Sequence, residues 1–386
     1  MIQSKGSERF VWHQDALVRL PKGMQAVLTH PLTKPLAFRG MKEAMFSYRS
    51  ATDIPLGRFM QSKFGSEGEI LIGAMTAGIF AGDANKLSTA SCFPDLIRLE
   101  QQGRGSLVRG ILMDYFNKQD VFDESVPMSL ATSSSLSFKQ GMKQLSEALM
   151  NSCRLKGVTI HLNEKVLGLE KSRSSDCWTL NSPTACEEFD FIVSTVAPYN
   201  LLRILQRPSP AIQQLSNLIG NVDVAVVNLA LSSKLHQLPL NGFGHLVADS
   251  TVQHDTGCLG VIYDSVSFPE QQSTDLMVVT VMLGGAHARW ISGETPDSLL
   301  QFAVSAVKQQ LVSDAHIVDS SVSLHRSCIP QYHVGHRVAA QTAVAEMIDD
   351  NFLILGNSIA GVGIADSIGS TLTELAKLSR LKKFVK

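Results

Sequence analysis

The sequence predicts an α/β (α+β multidomain) protein, and three observations carry that expectation. The first is "FLILGNSIAGVGIADSIGS", residues 352–370, where an apolar run ends in glycine and passes into a helical pattern. A strand delivers a nucleotide to a helix N-terminus through such a loop. The second is "DFIVSTVAP", residues 190–198, nearly all apolar, as a strand buried on both faces is. The third lies between them: "VDVAVVNLAL", "CLGVIYDSV" and "LMVVTVMLGG" are β-branched runs bounded by turns, the texture of a second sheet.

The chain has 386 residues, enough for two or three domains with real cores. Its net charge of −1 supplies no field toward nucleic acid, so RNA and DNA binding are not expected. Cysteines stand at 92, 153, 177, 186, 258 and 328, with no C-x-x-C among them, so no metal site is expected. Such unpaired cysteines read as reduced core residues. The apolar run Ile70–Gly82 holds 13 residues, too few to cross about 30 Å of hydrocarbon as a helix.

Taken in order, residues 10–118 read as mainly helical. "TDIPLGRFMQSKFG" places Ile54, Leu56, Phe59, Met60 and Phe64 close to one face, and "CFPDLIRLEQQGRGS" has proline near its start and Gly103 as its stop. After the helical "KQLSEALM", the segment "GVTIHLNEKVLGLEKS" is expected to begin as a strand, with Val166 on its second half. "CWTLNS" and "DFIVSTVAP" complete that unit. The three β-branched runs are interrupted by one clear helix, "TPDSLLQFAVSAVKQQLV", with Thr295 at the N-cap and Pro296 at N1. "NFLILGN" returns to the buried-strand texture before a closing helix, "TLTELAKLSRLKKFVK". The lysines of that helix suit both a helix C-terminus and an anionic lipid surface.

The G-x-G-x-x-G string of dinucleotide-binding turns occurs nowhere in the chain; Gly361 and Gly363 begin one, but Asp366 stands at its third glycine. Six stretches nevertheless occur in the content and order of a known family. They are "AGDANKLSTASCFPDLIRLEQ" (81–101), "NGFGHLV" (241–247), "GVIYDSVSFPEQ" (260–271), "VTVMLGG" (279–285), "CIPQYHVGH" (328–336) and the glycine loop. In these the chain resembles the protoporphyrinogen oxidases, most closely the mitochondrial, animal type, from about Arg9 to about Lys377.

That resemblance implies an FAD-linked amine-oxidase-type fold and an oxidoreductase acting on protoporphyrinogen IX, with O2 as electron acceptor, in haem biosynthesis. It divides the chain into a helical, membrane-docking and pocket-flanking domain (10–118), the remainder of a Rossmann-like FAD domain (119–215 and 345–386) and a mixed-sheet substrate domain (216–344). In the family an N-terminal G-x-G-x-x-G turn holds the FAD pyrophosphate, and a C-terminal glycine loop meets the flavin. The loop here resembles the second piece, so the FAD domain is expected to be incomplete and the chain to be an N-terminally shortened member. The alternative reading is a catalytically silent isoform or incomplete gene product that binds porphyrin or partners without FAD.

Residue by residue, the resemblance places Arg9 on a propionate of the tetrapyrrole, because a guanidinium meets a carboxylate with two N–H groups. Phe243, Gly244 and Leu246 form an apolar wall against the macrocycle, and Met282 stands on its other side. Gly244 is expected to be glycine so that backbone can approach the ring. Val166 meets the adenine; Asn357, Val362, Gly363 and Ile364 meet the flavin through backbone. No catalytic acid, base or nucleophile is assigned, because the cofactor does the difficult step. His245, alternating between apolar neighbours, reads as structural.

The chain departs from the family at Gln140, where a glycine is usual, at Ala77, where animal enzymes have arginine, and at Thr371, which suggests that the last helix starts differently. The family's habits further imply a monotopic attachment at the mitochondrial inner membrane, on its intermembrane-space side, and a possible homodimer.

Overall fold

In the computed structural model the described residues are 1–6, 8–21, 30, 33–46, 50, 53–117, 135–172, 176–232, 241–248, 250–272, 276–349 and 351–380. The lysine cluster at 382–386 lies outside them.

The chain opens with β1 (Ile2–Gln3) and the hairpin β2 (Glu8–His13) and β3 (Ala16–Arg19). Helices α1 (Lys34–Phe46), α2 (Leu56–Phe80), α3 (Pro94–Gln102) and α4 (Leu107–Asn117) follow, with one helical turn at Thr89–Cys92 before α3. Next come β4 (Leu136–Ser137), α5 (Lys143–Leu155), the meander β5 (Gly168–Lys171), β6 (Trp178–Asn181) and β7 (Cys186–Phe189), and β8 (Ile192–Ser194). After α6 (Pro198–Ile204) and α7 (Pro210–Leu218), the long β9 (Ile219–Leu231) leads to β10 (Gly242–Val247), β11 (Cys258–Ile262) and β12 (Met277–Gly284). The chain closes with α8 (Pro296–Gln310), β13 (Ile317–Tyr332), α9 (His336–Asp349), β14 (Phe352–Ile354) and α10 (Ile364–Arg380).

A seven-stranded sheet in the order β13-β9-β12-β11-β10-β2-β3 is the largest sheet among the described residues. It is mixed: β2 and β10 run parallel, and the other neighbours antiparallel. Helix α8 covers one face, burying Leu299, Ala303, Ala306 and Val307 against Val227, Val261, Val279 and Val281. Its N-cap forms as expected, with the Thr295 hydroxyl accepting from the Ser298 N–H at 3.2 Å.

The hairpin at residues 8–19 corrects the expectation of a helical segment from residue 10. Phe10, Val11 and Trp12 are all buried, because β2 lies inside the sheet between β10 and β3. The helical unit proper begins at α1. At its far end α2 stops with Ala81 in the left-handed conformation, and the sheet takes up that corner: Gln331 Nε2 donates to the Phe80 carbonyl at 2.7 Å.

The nucleotide-type half is built on β8 and β14, which pair in parallel. Its core joins Leu169, Trp178, Leu201, Ile212, Phe352 and Ile354 with Ala339, Ala340, Ala343 and Met347 of α9. Residues 336–344 therefore pack with this half, although the sequence boundary at 344 assigned them to the substrate sheet. The segment 158–167, expected as a strand, is in none. A strand needs a hydrogen-bonding neighbour; among the described residues this segment has none, and Val158 and Leu162 are more than half exposed. Val166 consequently lies outside any strand, just before β5. Thr371 falls within α10, which already starts at Ile364. Of the cysteines read as core, Cys153 and Cys186 are exposed.

Candidate functional site

Strand register decides which side chains meet. Residues directly opposite each other in a sheet project to the same face. One row across the large sheet reads Arg9, Gly244, Ile262, Thr280, Asn228, and the next reads Val11, Leu246, Gly260, Met282, Val226. The α8 core takes Phe10, Trp12, Val247, Val261 and Val281, so both rows belong to the other face. Helix α2 crosses that face. A Cβ on Gly78 would stand 2.5 Å from Leu246 Cδ2, and Met282 packs beside Ala77 and Ala81.

The structure thus brings Arg9, Phe243, Gly244, Leu246 and Met282 together on three strands. Leu246 and Met282 flank Gly260, where a Cβ would stand 2.5 Å from the His245 carbonyl oxygen and 3.3 Å from Leu246 Cδ2, so Leu246 leans over the glycine toward α2. Phe243 meets Phe268 edge-on at 6.2 Å, and the Arg9 guanidinium lies 4.8 Å from the Phe243 ring centroid. Arg9 is exposed and makes no ion pair among the described residues, so its charge is available to a ligand.

Gly244 has a different reason from the one expected. A Cβ there would come within 2.3 Å of the Val261 carbonyl oxygen. The neighbouring strand alone requires the glycine, whatever lies on the sheet.

Sequence reading missed Ile262, Thr280, Asn228 and Asp264. The Thr280 hydroxyl is 2.7 Å from Asp264 Oδ2 and 2.8 Å from Asn228. Both partners are acceptor oxygens, Asp264 Oδ2 and Asn228 Oδ1, so the one hydroxyl hydrogen is given to one of them at a time. Burial raises the Asp264 pKa, opposed by the Thr280 hydrogen bond. Alternation along "CLGVIYDSV" could have placed Ile262 beside Gly260; the Thr280 network needed the register. His245 lies on the buried side, with Nδ1 2.6 Å from the Tyr263 hydroxyl and Nε2 2.7 Å from Gln310 Oε1. Burial pushes its pKa down to about 4, so near neutrality it is an uncharged structural group.

The second set of residues gathers at the carboxyl ends of β8 and β14, where open α/β sheets bind ligands. The loop from Gly356 to Gly363 leaves β14 there, with Gly361 in the left-handed region at φ +73°. Val362 packs against Phe80, Leu87 and Tyr332, and the Tyr332 hydroxyl donates to the Asn357 carbonyl. The Tyr332 ring stacks on His336 at 4.1 Å, and His336 Nε2 lies 3.0 Å from the Ser358 carbonyl oxygen. Side chains from the end of β13 and the start of α9 therefore fix the loop. Val166 shares the core beneath it with Phe352 and Ile354.

Helix α2 links the two sets: Gly78 contacts Leu246, and Phe80, two residues on, contacts Val362.

The loop suits the uncharged part of a bound nucleotide better than its phosphates. Where a Cβ on Gly363 would stand, the nearest atom is Asp366 Oδ2 at 3.0 Å, so the backbone is otherwise bare. Asp366 occupies the first turn of α10, and a carboxylate there opposes a second anion. Among the described residues no group of His, Cys, Asp and Glu could hold a metal ion.

Residues 5–374 match the family of flavin containing amine oxidoreductases. Human protoporphyrinogen oxidase is 31% identical, with 94% of this chain and 77% of that protein covered. A Nicotiana tabacum relative named as mitochondrial protoporphyrinogen oxidase is 24% identical over 88% of this chain and 70% of its own length. Among solved structures, a chain from Exiguobacterium sp. bearing a provisional protoporphyrinogen oxidase name superposes with a TM-score of 0.75 at 21% identity. It covers 98% of this chain and 81% of that one, a likeness that speaks to fold alone.

Proposed function

Because the chain belongs to the flavin containing amine oxidoreductases and, within them, to the protoporphyrinogen oxidases, we propose that it oxidises protoporphyrinogen IX to protoporphyrin IX with FAD and O2. The observation that carries this reading is the shared sheet face: Arg9, Leu246 and Met282, far apart in sequence, stand on one face that α2 joins to the glycine loop.

The tetrapyrrole lies against the face that carries Phe243, Gly244 and Leu246, with Met282 on its other side. Arg9 holds a propionate there: among the described residues the cation has no carboxylate partner, and it lies over the Phe243 ring. FAD, when bound, supplies the hydride acceptor for the methylene carbons and returns its electrons to O2. Asn357, Val362, Gly363 and Ile364 hold the flavin end through backbone, and Val166 the adenine end. Helix α2 and the apolar rows exclude water from this face.

Helix α1 supports attachment to a membrane surface. It is amphipathic inside out: Glu43 is buried, while Phe38, Met41, Met45 and Phe46 are 57–72% exposed. A helix with that outward face lies in a lipid interface. No helix among the described residues is long and apolar enough to cross a membrane. The mitochondrial inner membrane is the proposed site, in keeping with the name of the tobacco relative.

The test is direct. The purified chain is supplied with FAD, its flavin absorbance is recorded after gel filtration, and porphyrin fluorescence is followed when O2 is admitted to protoporphyrinogen. Flavin-loaded protein that yields no porphyrin above the uncatalysed rate overturns the reading; protein that holds porphyrin but no flavin supports the silent alternative.

A further inference from the structure

Between α1 and α2 the helical unit holds an open cavity of about 470 Å³, at the point where α2 kinks. The kink is Gly65, left-handed at φ +72°, and the Arg39 guanidinium lies where a Cβ on that residue would be. Lys63 and Glu43 form the floor, and both are buried.

The floor is satisfied from within. Lys63 Nζ lies 2.6 Å from Glu100 Oε1 and donates to the Gly105 carbonyl at 2.8 Å. Glu43 accepts from the Ser106 hydroxyl and the Leu107 and Val108 N–H groups at 2.7–3.2 Å. The rim differs. Among the described residues Arg39 has one ion-pair partner, Glu67 at 3.1 Å, and the ammonium of exposed Lys42 makes no ion pair or hydrogen bond. Phe38 and Phe46 flank these cations, 70% and 71% exposed. A spare ammonium beside a half-used guanidinium, framed by outward phenyl rings, complements an anion that carries an apolar tail.

We infer that this cavity binds the head group of an anionic phospholipid, with Lys42 and Arg39 on its phosphate and its acyl chains along Phe38, Met41, Met45 and Phe46. The inference rests on the membrane reading of α1 and goes beyond it, from attachment to choice of lipid. A lipid is the source rather than a free phosphate, because a free phosphate gains nothing from four exposed apolar side chains.

Co-sedimentation of the full chain with vesicles tests it. Phosphatidylcholine vesicles containing phosphatidylglycerol should bind roughly 10-fold more tightly than phosphatidylcholine alone, and Lys42→Gln should remove about 5-fold of that gain. Lys34→Gln, at the start of the same helix and outside the cavity lining, should remove little. Monomeric short-chain phosphatidylglycerol should compete for the site, and inorganic phosphate should not. Equal binding to both vesicles defeats the head-group site while leaving membrane attachment standing; binding to neither defeats both. Equal losses from Lys42→Gln and Lys34→Gln, or competition by inorganic phosphate, also overturn the inference.

Discussion

Leu246 and Met282 occupy one cross-sheet row, two strands apart, with Gly260 between them. Neither is fully buried, so each offers apolar surface to a ligand on that face of the sheet. Such a side chain contributes about 1.5–3 kcal/mol when covered. Leu246→Ala and Met282→Ala should each raise the KM for protoporphyrinogen roughly 10-fold. Leu324→Ala, packed on the other face, should lower stability by about 1–2 kcal/mol with KM unchanged. Steady-state kinetics and thermal melts on the same preparations decide this.

Arg9 reaches the same face as an exposed cation over Phe243. A charge-assisted pair contributes about 1.5–3 kcal/mol, so Arg9→Ala should raise the KM for the dicarboxylic substrate about 10-fold or more. A substrate with esterified propionates should respond much less. Equal losses for acid and ester would make Arg9 a residue of the fold.

Two glycines of the loop separate conformation from cofactor. Gly361 has φ +73°, and its Cβ would stand 2.3 Å from Asp366 Cβ, so Gly361→Ala should destabilise the fold by more than 1 kcal/mol. Gly363 faces only the end of the Asp366 side chain. Gly363→Val should leave the melting temperature nearly unchanged and remove flavin absorbance. Full flavin retention would show the loop to be a turn and no more.

Lys63 ties the helical unit together from inside, against Glu100 and Glu43. Lys63→Met keeps the volume and leaves two buried carboxylates without their cation, which costs about 3–5 kcal/mol. Denaturant melts should show that loss. A change within about 1 kcal/mol would mean that the carboxylates are satisfied by hydroxyl and backbone groups alone.

His245 links stability to acid. Burial holds its pKa near 4 in the fold, against about 6.5 in the unfolded chain. The unfolded state therefore takes up the proton first as pH falls. Stability from this group is complete above about pH 6.5 and declines down to about pH 4, by about 3 kcal/mol in all. His287, His333 and His336 are also pushed down by burial but are common to both proteins. The difference between the wild-type and His245→Gln profiles isolates the one histidine, and parallel profiles would contradict its buried, neutral state.

Much of the fold is legible locally. β9, β11 and β12 follow from β-branched runs, α8 from Thr295 and Pro296, and α3 from its early proline and Gly103. The glycine loop announced itself by composition. The β13 strand did not, because "VDSSVSLHRS" is largely exposed and carries little apolar pattern. Helix α9 was missed for a related reason: its buried face is mostly alanine, Ala339, Ala340 and Ala343, too small to mark a stripe.

By itself the sequence determined β9, β11, β12, α3 and α8 and the family, since these rest on local pattern and on short strings. Tertiary structure alone decided the register that aligns Leu246, Gly260 and Met282, the Val261 carbonyl that makes Gly244 obligatory, and the burial of Glu43 beneath an outward apolar face of α1. The reason is physical. Periodicity records how often a residue is buried within its own element, whereas a register, a close backbone approach or an inverted helix is fixed by atoms from another element.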